Sequence, residues 1–536
     1  MQTRMAARLE QARSGGASPA ILGTRLLWLP PVLLSLWCFY PITGNYFFGD
    51  DLYNLYEIVN RGVVEYLVKP YGGHLLAARN VVYFLCFTLF GTNPEPYFWV
   101  VLLTHAFNVW LVFRILTLVA GPWLACVGAT LWGTAPVDEG ALGWFSVYGQ
   151  VLATAFILWV LHRLVQVAGG ATFGPAAAWR WAGLLFLASV SFGTGIGAAL
   201  AFPFVALVLL PPVPGRLRIL VALSVVALSI PLLYVASHWL AELYQAPSTG
   251  ELGSPLGPWM LWHFGWPLTV KLISYGATIL LLGPFRYPMP YPDPSFEDVP
   301  TLAIVAGLAA LALGSAAHRR RLIAMLGFAV ACYGIIAAGR APFFLLFGNN
   351  IVTSARYHYL ATVPLCVAVF VTIAVLARSR AQPPIPAGGD GAPPATGGWR
   401  WPVLVAALAV IVAPHALGAR PIDHHDRERA AAAKAVASIQ QQIDAAPPGA
   451  DVYINNQRFD GVGPMMIQRP DLFPGLAAIF AIYFPEIVVD GKRVLFVIWK
   501  PDTLAAAERG RKTTWFVIHP SRLPEGMKPQ FAPSSG

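Results

Sequence analysis

Uncharged apolar runs recur along this 536-residue chain from about Ile21 to Leu417, many of them long enough to cross a bilayer. Such a chain has to use a membrane as its solvent. Composition agrees, because 57% of residues are hydrophobic and 12% charged, too apolar a balance for a soluble domain of this length. The net charge of +10 does not point to nucleic acid. Its Arg and Lys sit in short segments beside apolar runs, which is how topology is marked in membrane proteins. The cysteines Cys38, Cys86, Cys126, Cys332 and Cys366 lie in apolar stretches at no metal-ligand spacing and read as small buried hydrophobes.

Arg4, Arg8 and Arg13 place residues 1–20 in the cytoplasm, and the run from Ile21 to Ile42 reads as an uncleaved anchor, since no A-x-A site follows it. Counting from there with basic clusters inside predicts about eleven spans. The domains expected are a transmembrane domain over 21–380, a Pro/Gly-rich cytoplasmic linker over 381–400, a final span over 401–419 and an extracytoplasmic domain over 420–536. Two pieces of the first outer loop read as juxtamembrane helices. One, from Leu52 to Val63, is amphipathic. The other, from Leu75 to Phe90, would be about 24 Å long, short of the roughly 30 Å hydrocarbon core. The stretch from Leu268 to Leu282 reads as interfacial or re-entrant, because a crossing there would put His318-Arg319-Arg320-Arg321 on the wrong side. Past Arg420, a helix from Arg427 to Ala445 and strands at Asp451 to Asn455, Val494 to Trp499 and Thr513 to Ile518 predict a small α/β domain. It carries no nucleotide-binding glycine loop, zinc pattern or hydrolase elbow. The fold class expected is a polytopic all-α membrane protein with this α/β domain at its C-terminal end.

Ionisable residues that converge on one membrane face are functional candidates. The topology brings four sets to the outer face: Asp50-Asp51, His74 with Arg79, Asp138-Glu139, and Arg356-Tyr357. Adjacent carboxylates can hold a hydroxyl as general base, or ligate a divalent cation, for which Asp50 and Glu139 are the candidates. Basic groups beside them suit a phosphate leaving group. Acid and base on one face therefore point to transfer from a phospholipid-linked donor. A bland reading stands beside each set: Asp50-Asp51 and Asp138-Glu139 could cap helices, His74 could be a loop residue, and Arg356 could snorkel to headgroups.

The order of these features resembles the GT-C superfamily of polyprenyl-phosphate-dependent glycosyltransferases, as in protein O-mannosyltransferases and the aminoarabinose transferases of lipid A. There an acidic pair follows the first span, and Asp50 matches its catalytic member. Leu89-Phe90-Gly91 resembles the end of the family's juxtamembrane helix, with His74 where Arg or Lys is usual at its start. The run from Leu102 to Asn108 resembles an "LLHAxN" span; Pro136 to Gln150 resembles the second-loop segment, with Gln150 in place of Arg; and Ser354 to Leu360 resembles an "ERYxYxP" entry, with Ala355 in place of the acid. The resemblance implies a GT-C-like fold, a bacterial inner-membrane location and a polyprenyl-phosphate sugar as donor. The acceptor would be an extracytoplasmic hydroxyl on glycan, lipid or protein. Asp50 and Asp51 would be catalytic, and His74, Arg79, Asp138, Glu139, Arg356 and Tyr357 would bind substrate. Two rivals remain: a scaffold that has lost activity, and a flippase of lipid-linked glycans, which would place ionisable groups at membrane depth.

Overall fold

The computed structural model describes residues 26–47, 50–51, 54–55, 58, 62–68, 70–71, 74–243, 261–286, 307, 314–347, 351–380, 400–416, 430, 433, 451–455 and 493–497. It is a helical membrane protein. Five helices are long and apolar enough to cross a membrane by length and composition: Glu95–Ala120, Phe145–Ala168, Arg216–Ala236, Trp262–Leu281 and Ala316–Ala341. Shorter apolar helices pack among them.

Helix α1 (Leu29–Phe39) continues into a 3-10 turn (Tyr40–Gly44). A short helix α2 (Val63–Val68) precedes a two-stranded antiparallel hairpin, β1 (Pro70–Tyr71) and β2 (His74–Leu75). Helix α3 (Ala77–Phe90) follows, 14 residues long. It stops at Gly91, whose φ of 60° suits a residue without Cβ and whose N–H donates to Phe87 O. Helices α4 (Glu95–Ala120) and α5 (Pro122–Gly133) form an antiparallel pair turned at Gly121, φ 94°, with Pro122 opening the second helix. Their seam is close because Gly133 lies on Val109 and Gly128 lies on Leu116 and Phe370. The loop after α5 holds a one-turn helix α6 (Glu139–Leu142) and leads into α7 (Tyr148–Ala168).

Helices α8 (Pro175–Ser189), α9 (Gly193–Leu209) and α10 (Arg216–Leu243) follow. Then come α11 (Trp266–Arg286), α12 (Ala316–Phe347), α13 (Thr362–Arg380) and α14 (Arg400–Ala416). Gly197 on α9 meets the backbone of Ala331 and the side chain of Ile335 on α12, the small-residue contact by which helices approach closely in lipid. Asp451–Asn455 (β3) and Arg493–Val497 (β4) pair in parallel. Those strands fall where two of the three C-terminal strands were expected; the third, with the helix from Arg427 to Ala445 apart from two helical positions, lies outside the described residues.

Several boundaries differ from the expectation. The stretch read as interfacial or re-entrant is part of the continuous helix α11, and with the preceding turn it is long and apolar enough to cross. The span expected at Thr301 to Ala317 lies largely outside the described residues, so the parity argument that demoted α11 has no structural counterpart. Helix α12 runs straight through His318, Arg319, Arg320 and Arg321 and through Arg340. Charge marks where a helix leaves lipid, not where its hydrogen bonds stop. Conversely, α13 starts only at Thr362, after a separate 3-10 turn at Ala355–Tyr357.

Candidate functional site

The first acidic pair divides between two environments. Asp50 is half-buried, while Asp51 is fully buried. Asp51 Oδ1 accepts from both the backbone N–H and the hydroxyl of Ser146, each at 2.6 Å. Charge-assisted bonds of that length are the strong ones. Arg79 is buried beside them: it donates to Ser146 O at 3.0 Å, to Asn54 Oδ1 at 2.6 Å and to Asn80 Oδ1 at 2.7 Å. Asn54 Nδ2 donates to Asp50 O at 2.6 Å, and Tyr83 OH donates to Asp51 O at 3.0 Å. The backbone that carries Asp50 is therefore fixed from below by groups from α3 and the second loop. Gly149 makes this fit possible, because a Cβ there would meet Ser191 O and Arg79 Cβ.

Asp51 and Arg79 thus differ from their expected parts. Arg79 is buried with its guanidinium turned to Ser146 O, Asn54 Oδ1 and Asn80 Oδ1, and Asp51 is buried against Ser146, so neither side chain presents surface to a substrate in this structure. His74 does not open the juxtamembrane helix either; it sits on β2 opposite Tyr71, and Leu75 N–H of the same strand donates to Tyr234 OH.

A second cluster forms around the other acidic pair. Gly140 packs directly on Ala355 and on the backbone of Arg356, so Asp138-Glu139 and Arg356-Tyr357 share one contact. The Arg356 guanidinium lies 5.3 Å from the Trp144 ring centre and 5.2 Å from that of Tyr357; the Arg340 guanidinium lies 5.6 Å from the Tyr357 ring centre. Such cation–π contacts hold a guanidinium in place while leaving its N–H edges available. Glu139 and Arg356 are half-buried, but Asp138 and Tyr357 are buried, which removes Asp138 from the expected substrate contact. Neither oxygen of Asp138 has a hydrogen-bond partner among the described residues, and burial pushes its carboxyl well above the ordinary value of 3.8. Nearby His358 is buried between Val352 O and Tyr333 OH, and desolvation lowers it to about 4.

The two clusters meet on the loop between α5 and α7. Trp144 carries Arg356 and Ser146 carries Asp51, and two residues of chain span at most about 7 Å. Asn45 ties the first loop to the same segment through Gly143 O at 3.2 Å. No protein-family model and no curated protein matches this chain. What the site can do has to be read from its own groups. Those with accessible surface are the carboxylates Asp50 and Glu139 and the cation Arg356. A divalent cation bound through oxygen needs about six ligands. Among the described residues no three Asp, Glu, His or Cys side chains gather, so Asp50 and Glu139 could supply only part of such a shell, the rest coming from water or substrate phosphate.

Sequence reasoning missed Ser146, Asn54 and Trp144 as parts of the site. Ser146 and Asn54 follow no pattern, and a lone Trp in an apolar chain is unremarked. Only the burial of Arg79 and Asp51 exposes what they do.

Proposed function

We propose that the chain is an inverting membrane glycosyltransferase, of the GT-C type that its motifs resemble. It would move a sugar from a polyprenyl-phosphate donor to a hydroxyl on an extracytoplasmic glycan, lipid or protein, in a bacterial inner membrane with the C-terminal α/β domain outside. The observation that carries this reading is the anchoring of Asp50: a half-buried carboxylate on a fixed backbone, one short loop away from a stacked, half-buried Arg356. Both side chains keep accessible surface, and both are tied to the same loop, Asp50 through its neighbour Asp51 at Ser146 and Arg356 at Trp144.

In the reaction, the acceptor oxygen forms a bond to the anomeric carbon while the bond from that carbon to the phosphate oxygen breaks. Asp50 takes the hydroxyl proton. The electron pair leaves with polyprenyl phosphate, whose added charge Arg356 meets with its N–H groups. Glu139 holds acceptor or sugar hydroxyls, and Asp51 keeps Asp50 in register through Ser146. Attack opposite the leaving group inverts the anomeric centre. Purified protein given a polyprenyl-phosphate sugar should release polyprenyl phosphate, and Asp50→Asn should abolish that release with expression unchanged; full activity in Asp50→Asn would overturn the reading.

One observation favours a different class. Asp138, in the 3-10 turn before α6, and Gln150, in the first turn of α7, are buried with side-chain oxygens that meet no donor among the described residues, as polar groups are where protons or polar cargo pass through a membrane protein. A flippase of lipid-linked glycans would lose transport in Asp138→Asn and show no donor cleavage at all. An inactive scaffold would show neither.

A further inference from the structure

The far end of α7 holds a second feature, unrelated to the acids. From Tyr148 at the loop to Arg163 the helix rises about 22 Å. There, between α7 and α8, lies a groove of about 780 Å³. Arg163, Arg180, Trp159 and Phe173 line its mouth, and Trp181, Leu184 and Leu187 continue it along α8. Both arginines are exposed, and Arg163 is steadied by Gln166 Oε1 at 2.8 Å and by the Trp159 ring at 5.8 Å. Arg216 belongs to the same neighbourhood, since Phe173 packs on Gly215. Its Nε is enclosed and has no partner among the described residues.

No acidic residue occurs anywhere between Glu139 and Glu242 in the sequence. The arginines around the groove therefore have no carboxylate from this hundred-residue stretch to neutralise them, and they face a slot whose other half is apolar. Leu187 and Phe186, two turns along α8 from Arg180, are lining residues that are also exposed, so the apolar track opens to the side of the helix pair. Cationic donors at one end, a hydrocarbon-compatible track at the other and Trp at the boundary match one kind of molecule in a membrane. A free anion would use only the mouth, and a zwitterionic lipid would bring its own cation against the arginines.

We propose that this groove binds an anionic phospholipid, its headgroup phosphate held by Arg163 and Arg180 and one acyl chain laid along Leu184 and Leu187. The site lies at the opposite end of α7 from Asp50 and does not depend on what Asp50 does.

The test is native mass spectrometry of the full chain in detergent, titrated with phosphatidylglycerol or phosphatidylcholine of the same acyl composition. Phosphatidylglycerol should be retained at least tenfold better. R163Q/R180Q should bring its retention down to that of phosphatidylcholine, and R163K/R180K should restore part of it. Equal retention of the two lipids by the wild type, or unchanged phosphatidylglycerol binding by R163Q/R180Q, overturns the proposal. Displacement of phosphatidylglycerol by inorganic phosphate at equal concentration also overturns it, since the mouth alone would then be the site. Should R163Q/R180Q not elute as a single species, the wild-type comparison and the phosphate competition still decide.

Discussion

Asp51 and Asp138 are both wholly buried carboxyl groups in the segments before α2 and α6, yet they belong to opposite kinds of environment. Asp51 has two short hydrogen bonds from one serine and a buried arginine close by. Asp138 has a sealed pocket and no donor among the described residues. A buried charge survives only where partners replace its lost hydration; without them the group keeps its proton. The first environment builds a rigid platform under its neighbour Asp50, whereas in the second burial alone raises the carboxyl above its ordinary value. Adjacent carboxylates in a sequence therefore say little until their surroundings are known.

The comparison can be broken at four places. The largest effect is expected for Asp50→Asn, which removes the proposed base and should slow donor cleavage by roughly 10²–10⁴-fold, measured as polyprenyl phosphate release. Next is Asp51→Ala. It strands the N–H and hydroxyl of Ser146 in the interior and should cost about 3 kcal/mol, read as a lower unfolding midpoint in detergent. A variant as stable as the wild type would show that the platform is not needed.

Asp138→Asn should act in the other direction, by about 1 kcal/mol. A carboxyl raised by burial binds its proton more tightly folded than unfolded, so its contribution is fully present below its ordinary value of 3.8 and is lost as pH climbs toward its raised folded value. Asparagine has no such loss, so the variant's advantage should grow from acid to pH 8 and vanish near pH 4. His358, held at about 4, tilts stability oppositely, favouring the fold less as pH falls from 6.5. Both proteins carry it, so it cancels in the difference. A pH-independent gap would mean that Asp138 finds a partner. The smallest effect is expected for Arg356→Lys, which keeps the charge but loses stacking on Trp144 and Tyr357, worth about 1 kcal/mol. It should raise the donor KM several-fold with kcat little changed.

The helical membrane class was legible because it rests on apolar transfer, which adds up over twenty residues and hardly depends on tertiary detail. Helix ends were less so. In α12 the arginines 319 to 321 and Arg340 mark polar surroundings, and the backbone continues through them with its hydrogen bonds intact. Gly72-Gly73 signals the hairpin that pairs Tyr71 with His74, a two-residue connection of the kind that antiparallel strands favour, whereas the residues alone suggest only a loop at His74 and the family resemblance a helix start. That Asp50, Asp138 and Arg356 belong together was legible from the four grouped sets, although the span count behind the grouping has no structural counterpart. Which of them remain accessible was not, because that depends on contacts such as Ser146 with Asp51, 95 residues apart in sequence and without any local pattern.

The loop from Trp144 to Ser146 has one more consequence, for biosynthesis. It receives Asp51 from one side and Arg356 from the other, and Arg356 is translated long after both. A nascent chain that has inserted every helix through α11 holds the acidic half of the site with nothing cationic stacked on Trp144. The proposed chemistry therefore waits for α12 to cross and for the turn at Ala355–Tyr357 to dock on Gly140. Truncation between α11 and that turn leaves the residues of the platform in the chain but removes the cation that would meet the donor phosphate there.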